Sequence, residues 1–94
     1  LLDAAQALDW GIVNRVVPAA ELTAEVGALA ARLAAGPTKA YGGVKKLLAM
    51  ATNDTLESQM ARESRQIAEL SRTADGIEGV AAFAAKRKPA FSGR

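Results

Sequence analysis

Ninety-four residues confine the chain to one small domain or part of a larger one. Twelve Lys and Arg against ten Asp and Glu give a formal net charge of +2, too balanced for a disordered polyelectrolyte. Cysteine and histidine are both absent, which excludes disulfides, thiolate chemistry, the usual zinc sites and histidine-based proton transfer.

Asp3 is placed to cap a short helix over Ala4–Asp9, and Gly11 is placed to end it. Ile12, Val13, Val16 and Val17 are β-branched and Pro18 closes the run, so the pattern predicts one short strand at about residues 12–17. A single strand leaves its own backbone donors and acceptors unpaired and needs partner strands. Leu22, Val26, Leu29 and Leu33 then fall on one helix face, and Gly36-Pro37 marks the break after it. Ala40, Val44, Leu47, Leu48 and Ala51 make the next stripe, and Asn53-Asp54-Thr55 supplies turn and cap residues. Leu56, Met60, Glu63, Ile67 and Leu70 make another, with one carboxylate inside it. Thr73 is expected to cap the last helix, with Ile77, Val80, Ala81, Phe83 and Ala84 as its apolar members and Pro89 as its bound. The fold class expected is mainly α, with four to five helices and the one strand.

Alanine supplies 22 of the 47 hydrophobic residues, while Leu, Ile, Val and Phe together number 21. Alanine favours helix, but each buried methylene contributes only about 0.8 kcal/mol, so an alanine face stabilises little. The composition predicts good helices around a thin core, in need of a partner surface. No segment reaches the ~20 apolar residues of a membrane helix, and no secretory leader pattern appears. With no cysteine, a reducing, cytoplasmic setting is expected. The chain starts at Leu1 within patterned sequence, which suggests a piece of a longer protein.

Charge is unevenly placed. Residues 1–85 carry eight Lys/Arg and ten Asp/Glu, a net of −2, whereas residues 86–94 carry four cations and no acid, a net of +4. Phe83 precedes the run Lys86, Arg87, Lys88 by three residues. A flat ring beside concentrated positive charge suits a phosphate-bearing ligand with an aromatic base. The plainer reading is a solvated helix end whose cations complement the helix dipole.

Other candidates are weaker. Glu63 in an apolar stripe is read as a packed or ion-paired carboxylate, because a general base needs a second positioned group that the sequence does not offer. Arg62 and Arg65 flank it and are placed to pair within the helix. Lys45 and Lys46 read as a solvated face. Gly42-Gly43 suggests close approach of another backbone. No phosphate-loop pattern occurs, and no metal site or catalytic residue is assigned. Nucleic acid is not expected as a partner, since four clustered cations come without a recognition-helix pattern.

Two segments together resemble one family. DAAQALDWGIVNRVVP, residues 3–18, is similar to the A-x-x-A-x-x-x-G-(L/I)-V-N-x-V-V segment of the enoyl-CoA hydratase/isomerase (crotonase) superfamily. Residues 75–91, with EGVAAFAAKRKPAF, resemble its closing D-x-x-E-G-x-x-A-F-x-x-K-R-x-P-x-F. Gly36-Pro37-Thr38 and Lys45 also match the usual pattern between them. The resemblance covers essentially this whole chain, but only about the last third of the family's chains.

That resemblance implies a C-terminal helical module of a crotonase-like fold, a single unit over residues 1–94. Residues 1–18 would be the helix-turn-strand at the end of the spiral core, and residues 19–94 the trimerisation and coenzyme A-binding part. It implies a homotrimer or hexamer acting on acyl-CoA thioesters, most simply by hydrating a 2-enoyl-CoA in fatty-acid breakdown. No cofactor is implied beyond the coenzyme A of the substrate. The family's oxyanion-stabilising amides and carboxylates lie upstream, so none falls on a residue here. Phe83 and Lys86 match positions that in several members touch the adenine and phosphate end of coenzyme A, with Arg87 as an assisting cation. An i, i+3 spacing would put both side chains on one helix face. The chain by itself is not expected to be catalytic. The alternative is a stand-alone helical oligomerisation module without ligand binding. Gly79 is expected to permit close helix packing, while Trp10, Tyr41 and Phe91 read as core.

Overall fold

In the computed structural model, which describes residues 1–94, five α-helices and one 3-10 turn form, and no strand does. The chain divides into two compact units, Leu1–Ala30 and Ala31–Arg94. No helix is long and apolar enough to cross a membrane.

In the first unit, helix α1 spans Ala4–Asp9 and starts with a capping box. Gln6 N donates to Asp3 Oδ1 at 2.8 Å, and Asp3 N donates back to Gln6 Oε1 at 3.1 Å. Two amides that would otherwise lack partners are thereby satisfied. The end is equally well made. Gly11 takes a φ of +70°, its N–H bonds Leu8 O at 3.0 Å, and Ile12 N–H bonds Ala7 O at 2.9 Å. This is the two-bond Schellman ending, which suits glycine because no side chain clashes at that φ.

The strand expected at residues 12–17 is not there. Ile12 to Asn14 bend, and the residues from Arg15 to Pro18 have no regular structure. The amides of Ile12 and Val13 both turn back to Ala7 O, at 2.9 and 3.3 Å. A ladder needs a second strand, and without one in this chain the donors close on α1 instead. Trp10 and Ile12 are exposed, so the core expected of Trp10 is not formed within the unit. Arg15 pairs with Glu25 across the turn. A single 3-10 turn, Ala19–Glu21, leads into α2, Leu22–Ala34.

The second unit holds α3 (Thr38–Met50), α4 (Leu56–Leu70) and α5 (Ala74–Ala84). Thr55 caps α4 by accepting from Ser58 N at 3.3 Å, and Thr73 caps α5 by accepting from Gly76 N at 3.0 Å. Helix α3 packs on α4. Gly43 is buried there, and a Cβ on it would sit 2.9 Å from Gln66 Cδ, while nothing lies within 4 Å of one on Gly42. Of the glycine pair, Gly43 alone has a close neighbour, the flexible end of the Gln66 side chain and not a backbone. Arg62 turns to Asp54, at 2.5 Å, not to a helical neighbour.

The corner between α4 and α5 is tighter. A Cβ on Gly76 would come within 2.1 Å of the Leu70 carbonyl oxygen, a backbone atom with no freedom to yield. Gly76→Ala is expected to lower stability by about 1–3 kcal/mol, as overpacking does. Gly42→Ala is expected to be neutral or to stabilise by up to about 1 kcal/mol through helix propensity. Denaturant melts of both variants in the full-length protein check the pair. Equal effects would refute the packing distinction.

The core is as thin as the alanine content predicts. Ala82 is the one fully buried apolar residue, while Leu22, Val26, Leu29 and Leu33 on α2 and Leu56, Met60 and Ile67 on α4 are exposed. Their periodicity makes amphipathic helices, but nothing in this chain covers the stripes.

Candidate functional site

The closing segment is built around α5 and the strap that follows it. Helix α5 stops at Ala84, well before Pro89. Lys86 N–H bonds Phe83 O at 3.1 Å and Arg87 N–H bonds Ala82 O at 3.0 Å, the same two-bond ending as at Gly11. Here the residue in the left-handed position is Lys86, with φ +51°, and no other non-glycine residue has a positive φ. A side chain in that conformation costs about 1–2 kcal/mol relative to glycine.

The expectation that Phe83 and Lys86 share a helix face is therefore corrected. Phe83 is on α5 and 87% exposed. Lys86 lies beyond the helix, exposed, in the turn that reverses the chain. The i, i+3 rule applies only inside a helix, and Ala85 already ends it. The two residues remain joined through the Lys86 N–H to Phe83 carbonyl bond.

After the turn, residues 87–94 run back along α5, held by two of its carboxylates one turn apart. Glu78 accepts from Arg87 Nη1 at 2.6 Å, Arg87 Nη2 at 2.8 Å and Ala90 N at 2.8 Å. Asp75, the buried acid of the chain, accepts from Ser92 N at 2.7 Å, Gly93 N at 2.9 Å and Ser92 Oγ at 3.2 Å. Asp75 N–H bonds Arg94 O at 2.9 Å. Between these anchors the Phe91 ring lies over Gly79, where an added Cβ would be in ordinary contact at 3.7 Å. Gly79 thus faces the strap and not another helix. Phe91, half-buried, also helps line a mainly apolar cleft of about 280 Å³ with Pro37, Ala40, Leu70 and Val80.

These contacts set the electrostatics. The Arg87 guanidinium, then the Ala90 amide, hold the Glu78 carboxyl down at about 2. The Ser92 amide, foremost, keeps Asp75 below its ordinary value, outweighing an opposing push from burial, and Glu78 in turn raises Arg87. Both carboxylates titrate lower when folded than when unfolded. Their stabilisation is therefore complete above the ordinary carboxylate range and is lost as pH falls through the folded values. The strap is expected to stay closed at neutral pH, with its Glu78 anchor released between pH 4.5 and about 2 and its Asp75 anchor weakened as pH falls below the ordinary carboxylate range. Hydrogen exchange at the Ala90 amide reads the Glu78 anchor directly, and an Ala90 amide as protected at pH 2 as at neutral pH would refute it.

Glu63 offers no base. It is exposed and accepts from Gln59 Nε2 at 3.1 Å within α4. A second groove of about 340 Å³, between Lys39, Lys46, Gln66 and Glu69, includes neither Phe83 nor Lys86. Asp75 and Glu78 were not singled out as site residues by sequence reading. The signal was present: two acids one helical turn apart, followed by the one run of three consecutive cations in the chain.

The family model described as enoyl-CoA hydratase/isomerase matches residues 1–94. The chain belongs to the enoyl-CoA hydratase/isomerase family. It is 39% identical over 93 residues to a Rhodobacter capsulatus protein named "Probable enoyl-CoA hydratase", covering 99% of this chain and 36% of that one. It is 39% identical, with the same coverage, to the 1,2-epoxyphenylacetyl-CoA isomerase of Escherichia coli K12. Among solved structures, enoyl-CoA hydratase subunit I of Geobacillus kaustophilus HTA426 superposes with a TM-score of 0.91 at 39% identity, over 98% of this chain and 36% of the other. The chain thus spans just over a third of the length of these family members. Relatives that carry out different reactions match it equally well, so likeness in this segment does not select one chemistry.

Proposed function

We propose that this chain is the C-terminal helical module of an enoyl-CoA hydratase/isomerase-family protein acting on acyl-CoA thioesters, with hydration of a 2-enoyl-CoA in fatty-acid breakdown as the reaction. The observation that carries the reading is the family match across all 94 residues, at a third of the length of relatives whose names specify acyl-CoA chemistry. Within that protein the module contributes two things. Its uncovered apolar faces on α2 and α4 pack against the rest of the protein and against further copies, in a trimer or hexamer. Its closing turn contacts coenzyme A: the exposed Phe83 ring stacks on the adenine, and the Lys86 ammonium meets a phosphate. Arg87, engaged with Glu78, assists from behind. The oxyanion donors come from the upstream domain, and the chemistry needs neither a metal nor a redox cofactor. A cytoplasmic setting suits the cysteine-free chain.

The test is the kinetics of Lys86→Ala in the full-length protein, measured on an acyl-CoA and on the same acyl group carried by pantetheine. A penalty confined to the coenzyme A ester supports the contact. An equal penalty on both would assign Lys86 to folding or assembly.

A further inference from the structure

Lys86 occupies a backbone conformation that its own side chain disfavours, and such residues persist only where their surroundings over-determine them. The surroundings here are identifiable. The next residue, Arg87, delivers both Nη atoms to Glu78, and the Ala90 amide reaches the same carboxylate. Glu78 sits on the body of α5, two turns before the helix ends, so the returning chain is pinned to a rigid element on the far side of Lys86. None of the three ion pairs in the molecule uses Lys86. The carboxylate thus occupies the neighbouring guanidinium, while Lys86 itself is in no ion pair, exposed in the turn where its N–H bonds the Phe83 carbonyl.

We propose that Glu78 is a positioning residue for anion binding: by holding Arg87 and the Ala90 amide, it fixes the left-handed turn that aims Lys86 at a phosphate. The inference deepens the coenzyme A reading above and rests on it. With Glu78 removed, the turn loses the anchor that over-determines it, Lys86 relaxes toward commoner conformations, and the ammonium samples many directions. Binding then falls because the lysine must be ordered on ligand arrival. A freed Arg87 does not replace it, since its side chain leaves from the next residue, on the other side of the reversal.

The experiment compares Glu78→Gln, Lys86→Ala and the double variant in the full-length protein, each with an acyl-CoA and with the matching pantetheine thioester. Glu78→Gln is expected to raise KM for the acyl-CoA between about threefold and the tenfold ceiling set by loss of the lysine bond itself. kcat should hold, and KM for the pantetheine thioester should show no comparable rise. In the Lys86→Ala background, Glu78→Gln should add no more than the smaller share that Arg87 contributes, because the positioning effect on Lys86 vanishes with Lys86. Glu78→Asp, one methylene short of the same donors, should recover only part of the loss. A Glu78→Gln variant that loses both substrates equally, or fails to assemble, would make the pair a folding element and overturn the proposal. A Lys86→Ala penalty without a Glu78→Gln penalty would overturn it while leaving the coenzyme A contact intact. No Lys86→Ala penalty on either substrate would remove the contact and the proposal together.

Discussion

Lys86→Ala is expected to raise KM for an acyl-CoA about tenfold in the full-length protein. A hydrogen bond from a charged donor contributes roughly 1.5–3 kcal/mol, and about 1.4 kcal/mol is a factor of ten. The lower part of that range applies, because Lys86 is exposed and solvent competes for its ammonium. The adenine and phosphate end of the ligand is far from the reacting carbons. A contact made there would bind ground state and transition state alike, so its loss is expected to spare kcat. Phe83→Ala should act in the same sense and more weakly, since a cation–ring or stacking contact at an exposed site is worth about 0.5–1 kcal/mol. A fall in kcat with KM unchanged would contradict the assignment, because only a group near the reacting bond behaves in that way.

Purified by itself, the 94-residue chain is expected to give no measurable hydration of crotonyl-CoA and to sediment as a self-associating or loosely folded species. The expectation rests on the proposal that the oxyanion donors lie upstream; within the chain histidine and cysteine are absent, Glu63 is exposed and bonded to Gln59, and Asp75 and Glu78 are occupied by the strap. Nothing in it closes a core. Small domains already bury only about 60% of the surface their unfolded chains expose, and here a single alanine is the buried apolar residue. Turnover near that of a complete hydratase would defeat the reading of the module as a non-catalytic part. A compact, stable monomer in sedimentation would show that the exposed stripes need no partner.

What the sequence disclosed, and what it withheld, follows the range of the interactions. Asp3, Thr55 and Thr73 cap their helices as read, because a cap is decided within three or four residues. The stripe from Leu22 to Leu33 and that from Leu56 to Leu70 were legible for the same reason. The run from Ile12 to Val17 misled because β-branched residues report a preference for extended backbone, while a strand also needs a ladder partner, and this chain contains none. The end of α5 was misplaced toward Pro89 because the local signal for a stop, glycine, is missing. The stop is enforced instead by Glu78 and Asp75, which grip residues 12 to 18 positions away. The candidate site was half legible: Phe83 and Lys86 stood out by type and spacing, but the turn that separates them depends on a strap whose contacts no helical period encodes.

The two Schellman ends, one with Gly11 and one with Lys86, make a comparison that bears on protein engineering. Thermostability campaigns often harvest substitutions that relieve unfavourable backbone, and such gains are commonly neutral or costly for activity. A screen for heat tolerance in a protein carrying this segment would be drawn to glycine at position 86, where the precedent at Gly11 shows that the turn accepts it. It would thereby select away the side chain proposed above to meet a phosphate. At that single backbone position, a campaign guided by melting temperature and one guided by substrate affinity would move in opposite directions.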